Sequence, residues 1–246
     1  MKIAIVAITE EGKKTARRLA AYFDESECHF PPRQRSLKGM VGEIFDQFDG
    51  VIFIMALGIM IRVIAPYLKN KYVDPAVVVV DEGKRFAISA LSGHEGGANR
   101  LALEVASVLD AEPVITTASE TNKKIIVGVG CRKGTTKKEI VEAINAALKQ
   151  GKCTRESVRY IATIDLKRDE PGLIDACLRL GIPLRVISFG RVKNFSGAYQ
   201  RSSFVKEKIG VEGVSEPCAL LAGRKTKLIV PKMKRGRVCV AIAREG

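Results

Sequence analysis

The chain has no tryptophan, only two histidines, and no Cys-x-x-Cys pair among its 246 residues. Without paired cysteines or a histidine–cysteine cluster there is no zinc-type ligand spacing. The six cysteines (28, 131, 153, 177, 218 and 239) are widely scattered and read as reduced thiols, mostly core filler. The longest apolar run, Val51 to Ile61, is too short for a bilayer and contains Gly58. No Gly-x-Gly-x-x-Gly turn and no Gly-x-x-x-x-Gly-Lys-Ser/Thr loop is present, which removes the usual dinucleotide and nucleoside-triphosphate signatures. Met1 to Glu10 is apolar only briefly and lacks a small-residue cleavage site, so it reads as a first strand and not as a signal peptide, with a cytoplasmic location expected.

What is present is an uneven charge. The net +14 lies wholly beyond residue 124, the first 124 residues balancing to zero. Such asymmetry predicts two units with different tasks, the second facing something anionic. With no Trp and few aromatics among its cations, the basic half lacks a stacking platform for nucleic acid, and no long basic amphipathic helix points to a membrane.

The pattern predicts an α/β protein: two α/β domains, 1–122 and 123–246, with mainly parallel sheets flanked by helices. In the first, strands are expected at Lys2–Ile8, Gly50–Ala56, Ala76–Val80, Arg85–Ser89 and Pro113–Thr116. Helices are expected from Thr9 to about Phe23, near Val41–Phe48, and over Ile59–Leu68 and Ala98–Leu109. Cys28 to Pro32 begins a loop with Arg33, Arg35 and Lys38, and residues 117–124 read as a linker. In the second domain, strands are expected at Ile125–Gly130, Tyr160–Ile164 and Leu184–Ser188. A helix capped by Thr135 runs to Lys149, and another covers about Glu170–Leu180. Residues 189–203 read as a basic loop, with helical pieces near Phe204–Ile209 and Pro217–Leu221. A terminal hairpin joins Lys227–Val230 to Arg237–Ala243 through a turn rich in Lys and Arg.

Leu91-Ser92-Gly93-His94-Glu95-Gly96-Gly97-Ala98-Asn99 joins a predicted strand to a predicted helix. A histidine, a carboxylate and three glycines at a helix N-terminus suit a site that holds an acidic ligand and moves a proton. They suit a capped turn equally well. Ligands gather beyond the carboxyl ends of parallel strands. Gly58 and Arg62, Asp81, the 92–99 turn, and Thr116 and Thr117 would therefore line one crevice if their strands are parallel neighbours. Asp81 reads either as a base or as a helix or turn cap. In the basic half, Gly128-Val129-Gly130-Cys131-Arg132-Lys133-Gly134-Thr135 makes Arg132 and Lys133 a carboxylate or phosphate cradle, or a plain turn with exposed cations. Cys131 reads as a packed residue before a nucleophile.

Three first-half segments, Ala56-Leu57-Gly58-Ile59-Met60-Ile61-Arg62-Val63-Ile64-Ala65-Pro66, the 91–99 turn and Val114-Ile115-Thr116-Thr117-Ala118, resemble the CbiG family of cobalamin biosynthesis proteins. Three second-half segments extend the resemblance: Gly128 to Thr135, Pro217-Cys218-Ala219-Leu220-Leu221-Ala222-Gly223 and Leu228-Ile229-Val230-Pro231-Lys232. The resemblance implies a cobalt-precorrin-5A hydrolase of the anaerobic cobalamin pathway. Such an enzyme opens a δ-lactone on an anionic cobalt tetrapyrrole and releases acetaldehyde to give cobalt-precorrin-5B. It implies no cofactor beyond the cobalt the substrate carries, and other enzymes of the pathway as further partners. On that reading His94 and Glu95 are catalytic. Gly58, Arg62, Asp81, Ser92, Gly96, Gly97, Asn99, Thr116, Thr117, Arg132 and Lys133 bind substrate. Amides near Gly96 and Gly97 would stabilise an oxyanion. Many family members carry a further segment between the two domains, which this chain lacks. A corrinoid carrier without turnover is the rival expectation.

Overall fold

A computed structural model describes residues 1–31 and 36–246; the expected loop cations Arg33 and Arg35 lie outside the described residues. The chain forms two compact units, Met1–Thr117 and Ala118–Gly246, each an α/β layer structure with its own core.

The first unit runs β1 (Ile3–Ala7), α1 (Glu10–Ala20), β2 (Ser26–His29), α2 (Leu37–Ile44), β3 (Gly50–Ile54), α3 (Leu57–Ile64), β4 (Ala76–Val80), β5 (Phe86–Leu91), α4 (Ala98–Leu109) and β6 (Glu112–Val114). The sheet order is β2-β1-β3-β4-β5-β6. β1, β3 and β4 are buried along their whole length, because helices cover both faces of the sheet. Ile3, Ile5 and Ala7 face α1 and α4, against Ala16, Leu19, Leu101 and Val105. The alternate residues Ala4 and Val6 face α2 and α3, against Met40, Val41, Met60 and Val63. Two-residue alternation within an all-apolar run therefore feeds two cores. Thr9 caps α1 by accepting from the Gly12 N–H at 3.1 Å, as its position predicts.

Two expectations fail here. Cys28 lies in an edge strand, not a loop: β2 pairs parallel with β1 through Ser26–His29. More consequentially, β5 runs antiparallel to β4, and β6 runs parallel to β5. The sheet is mixed, and its last two strands point the other way from the first four.

The second unit runs α5 (Ala118–Thr121), β7 (Ile125–Cys131), α6 (Lys137–Gln150), β8 (Val158–Ile164), α7 (Pro171–Leu180), β9 (Leu184–Ile187), α8 (Phe189–Lys193), α9 (Ser203–Ile209), α10 (Ser215–Leu221), β10 (Lys227–Arg235) and β11 (Val238–Arg244). The order is β10-β11-β7-β8-β9, with β7, β8 and β9 parallel and the terminal hairpin antiparallel. Ile125, Val127 and Val129 face α6 and α7, against Ile144, Ala147, Leu173 and Ala176. Gly128 faces the other way, where α10 lies on the strand: a Cβ there would overlap the Ser215 carbonyl oxygen and stand 2.8 Å from the Ala219 nitrogen. Only glycine permits that approach.

The cap of α6 is Thr136 and not Thr135. Thr136 and Glu139 form a reciprocal capping box, which outcompetes a start one residue earlier. The expected linker carries the short helix α5, and α8 occupies the start of the expected loop at 189. The cationic stretch assigned to the hairpin turn is mostly strand, since β10 continues to Arg235 and the reversal is confined to Gly236 and Arg237.

Candidate functional site

The reversal of β5 and β6 divides the residues expected to share one crevice. Gly58 and Arg62 follow β3 and Asp81 follows β4, at the edge where Thr9 Oγ1 donates to Glu82 Oε1 at 2.6 Å. The 92–99 turn follows β5 at the opposite edge, where Ser92 Oγ donates to the carbonyl of Asp74, ahead of β4, at 3.0 Å. The extended chain from Asp74 to Asp81 separates the two groups by roughly 20 Å, far beyond hydrogen-bond reach.

At the first edge, Arg62 folds back on its own helix, donating to the Gly58 carbonyl at 3.0 Å. Asp81 is a turn cap. Its carboxylate accepts from the Arg85 N–H at 2.8 Å, the Arg85 Nε at 2.9 Å and the Phe86 N–H at 2.8 Å. Burial works to raise its pKa, but these bonds outweigh it and hold the group below the ordinary aspartate range. A carboxylate so committed is a poor base.

At the second edge the small residues of the turn build its shape. Ser92 takes a left-handed φ of 54°, a conformation that costs about 1–2 kcal/mol for a non-glycine residue. It is held by three bonds: its hydroxyl to Asp74, and its carbonyl accepting from the N–H groups of Gly96 and Ala98 at 3.1 and 3.2 Å. A side chain at Gly96 would meet Ser92 Cβ at 2.5 Å. The Gly96 N–H is thus spent inside the turn and is not an oxyanion donor. Gly97 is the left-handed N-cap of α4. Asn99 is buried; Ser89 Oγ donates to its Oδ1 at 2.8 Å, and its Nδ2 donates to Thr117 Oγ1 at 2.9 Å. Asn99 therefore ties down the last residue of the unit, while Thr116 is exposed beside it.

His94 and Glu95 stand exposed on the crown of this turn. Lys71 pairs with Glu95 at 2.7 Å and is the main cause holding that carboxyl below its usual range. Among the described residues, no hydrogen bond fixes the His94 imidazole. Ser92, Gly96 and Asn99 build the turn, and it leaves His94 and Glu95 exposed.

The second unit holds a large cavity of about 1110 Å3 at the carboxyl ends of β7 and β8. Seven cations line it: Arg132 and Lys133 after β7, Lys167 after β8, Lys208 on α9, and Lys232, Lys234 and Arg237 on the hairpin. Ile164, Leu166, Val205, Ile209 and Val214 supply an apolar wall, and among the described residues no carboxylate lines the cavity. Pockets for drug-sized ligands run to about 1000 Å3, so this one has room for a ligand of that size or larger. The sequence pointed to Arg132 and Lys133; the other five cations were missed. Lys232 and Lys234 carried a usable signal, since in a strand they alternate with Met233 and share one face. Met233 indeed packs into the core behind.

Glu170 sets the floor of this turn from outside the cavity. Buried, it accepts from the Gly134 N–H at 2.6 Å and from Lys167 Nζ at 2.9 Å. Burial works to raise its pKa, and Lys167, the Gly134 amide and Lys133 more than offset it, leaving the carboxyl below the ordinary range. A depressed folded-state pKa stabilises the protein above the unfolded value and loses that contribution as pH falls through the folded one. The 131–135 turn is thus expected to loosen below about pH 4. Glu170→Ala is expected to cost about 1–3 kcal/mol at neutral pH and to flatten the acid limb of the stability curve. Unfolding midpoints between pH 3 and 7 check both. The two thiols of the cavity stay protonated at neutral pH: burial pushes Cys131 up to about 11 and also raises Cys239, so neither is an activated nucleophile.

Among the described residues no three His, Cys, Asp or Glu gather as a metal cluster, and no helix is long and apolar enough to cross a membrane.

Two family profiles match the chain, cobalamin synthesis G N-terminal over residues 39–120 and cobalamin synthesis G C-terminus over residues 125–243. The chain is 27% identical over 352 residues to a cobalt-precorrin-5A hydrolase of Priestia megaterium, spanning 98% of this chain and 94% of that one. It is 25% identical over 319 residues to a cobalt-precorrin-5A hydrolase of Salmonella typhimurium, spanning 89% and 91%. Both alignments exceed the 246 residues of this chain, so both relatives carry stretches it lacks. The solved structure of CobE, a protein from the cobalamin biosynthetic pathway, matches with 26% identity and a TM-score of 0.46 over 49% of this chain and 89% of that one.

Proposed function

We propose that this chain, which belongs to the CbiG family of cobalamin-synthesis proteins, is a cobalt-precorrin-5A hydrolase whose substrate binds in the cationic cavity of its second unit. The observation that carries the site is the lining: seven cations and, among the described residues, no carboxylate around an apolar wall. A cobalt tetrapyrrole has a broad apolar macrocycle and a rim of carboxylates. The macrocycle face suits Leu166, Val205, Ile209 and Val214, and the rim suits the lysines and arginines, each a charge-assisted donor. Cobalt arrives as part of the substrate.

The reaction consumes one water. Water adds to the lactone acyl carbon, the ring C–O bond breaks, and a free carboxylate and a hydroxyethyl group result. A base then takes the hydroxyl proton, the electron pair left on oxygen forms the carbonyl, and the bond to the macrocycle breaks with its electrons going to the macrocycle carbon. The macrocycle carbon takes up a proton and acetaldehyde leaves. Both halves need a group that accepts and returns a proton. We assign it to His94, exposed on the 92–99 turn, because Glu95 beside it is held as a carboxylate by Lys71.

The test is incubation with cobalt-precorrin-5A, following the visible spectrum and trapping acetaldehyde with an NADH-linked alcohol dehydrogenase. One equivalent of acetaldehyde per substrate is expected. Tight, salt-sensitive binding with no acetaldehyde would replace the hydrolase with a corrinoid carrier, and no binding would remove the cavity as the site. Removing Lys208 and Lys234 together, as K208Q/K234Q, is expected to raise KM about 10- to 100-fold with kcat little changed, at about 1 kcal/mol or more per lost charge-assisted bond. A wild-type KM in that variant would mean the substrate's carboxylates lie elsewhere.

A further inference from the structure

One wall of the cavity is the segment 199–213, which carries α9. This segment is tied to itself. The Ser202 N–H donates to the Glu212 carbonyl at 2.7 Å, and the Glu212 carboxylate pairs with Lys206 at 3.0 Å and Arg201 at 3.3 Å. Phe195 stacks obliquely on Tyr199 at 5.8 Å. Two links join it to the sheet: Lys232 Nζ donates to the Gln200 carbonyl at 3.4 Å, and a different carboxylate makes the second. Glu216, at the start of α10, is 2% exposed. Its Oε2 accepts from the Gln200 N–H at 2.6 Å and its Oε1 from the Lys232 N–H at 2.9 Å. One side chain thus bridges the flap and the strand β10, on which Lys232 and Lys234 face the cavity. A buried charge is retained only where its bonds are made, and here both oxygens are engaged by backbone donors from separate segments.

We infer that Glu216 is a positioning residue for substrate. It clasps the 199–213 flap to β10, so that Val205, Lys208 and Ile209 on α9 stand opposite the cations of the hairpin across the cavity. The bonds lie behind the wall, so Glu216 touches no ligand. It fixes the width of the cavity and the register of the two cationic walls. This rests on the cavity being the corrinoid site, and the test separates the two. Glu216→Gln keeps the shape and one acceptor; Glu216→Ala keeps neither.

Hydrogen exchange at the Gln200 and Lys232 amides reads the clasp without any substrate. Exchange there is expected to quicken about tenfold in E216Q and about a hundredfold in E216A, in keeping with the worth of one and two bonds to a buried charge. Amides inside β8, at Ile161 and Thr163, are expected to keep their protection. With cobalt-precorrin-5A, KM is expected to rise in the same order while kcat stays within about threefold. Unchanged exchange at Gln200 and Lys232 would overturn the clasp. So would protection lost equally across the unit with KM unmoved, since Glu216 would then be a core residue alone. If the wild-type chain neither bound nor turned over the corrinoid, the hydrolase reading would fall, and the exchange rates would still decide whether Glu216 holds the flap.

Discussion

Gly128→Ala is expected to unfold the second unit or bring it close to unfolding, with the first unit left intact. Gly128 sits in the middle of β7, and the added methyl would overlap the Ser215 carbonyl oxygen and crowd the Ala219 nitrogen, both backbone atoms of α10. Side chains can swing away from a new methyl, but a helix backbone must move as a body. Ser215, Glu216, Pro217, Cys218 and Ala219 are all buried in that helix, so lifting α10 opens the whole face of the sheet. Overpacking against side chains costs about 1–3 kcal/mol. Displacing a buried helix belongs with the exceptional substitutions above about 4 kcal/mol, a large part of the 5–15 kcal/mol that holds a domain together. The lifted helix would also carry Glu216 away from Gln200 and Lys232, and the cavity would lose its wall. Thermal unfolding followed by calorimetry should lose the transition of the second unit and keep that of the first. Gly190→Ala is the control, since a Cβ there meets nothing within 4 Å. A G128A protein melting within a degree or two of wild type would mean that α10 does not lie on β7 as described.

The frame of both units was legible because it is written locally. Five-residue apolar runs such as Ala76–Val80 appear as fully buried strands, and α4 occupies Ala98–Leu109, bounded by Gly97 and Asp110. The direction of β5 was legible too, but the signal was read for its turn and not for its topology. Only Asp81 to Arg85 separates β4 from β5. A connection that short joins antiparallel strands, because a parallel return needs a crossover of a dozen residues or more. That length alone places Asp81 and His94 at opposite ends of the sheet. The edge strand β2 was hidden because Ser26-Glu27-Cys28-His29 is polar and only partly buried. The cationic cavity could not be read along the chain. Its lining comes from residues as far apart as Gly130 and Cys239, and only the fold of the hairpin onto β7 assembles them.

Replacing His94 by alanine is expected to slow acetaldehyde release about 10²- to 10⁴-fold, the usual contribution of a general base or acid, with stability within about 0.5 kcal/mol of wild type because the side chain is exposed. Glu95→Gln is expected to cost less than tenfold, since Lys71 already holds that carboxyl charged and weakly basic. Lactone opening adds one water to the substrate before acetaldehyde leaves, so quenching a single turnover for mass analysis times the two steps apart. An H94A protein that opens the lactone at the normal rate but retains the hydroxyethyl group would place His94 at the carbon–carbon cleavage. One that leaves the lactone closed would place it at water activation. One that releases acetaldehyde at the wild-type rate would remove His94 from the reaction and leave the 92–99 turn as a cap whose work is to hold Thr117 through Asn99.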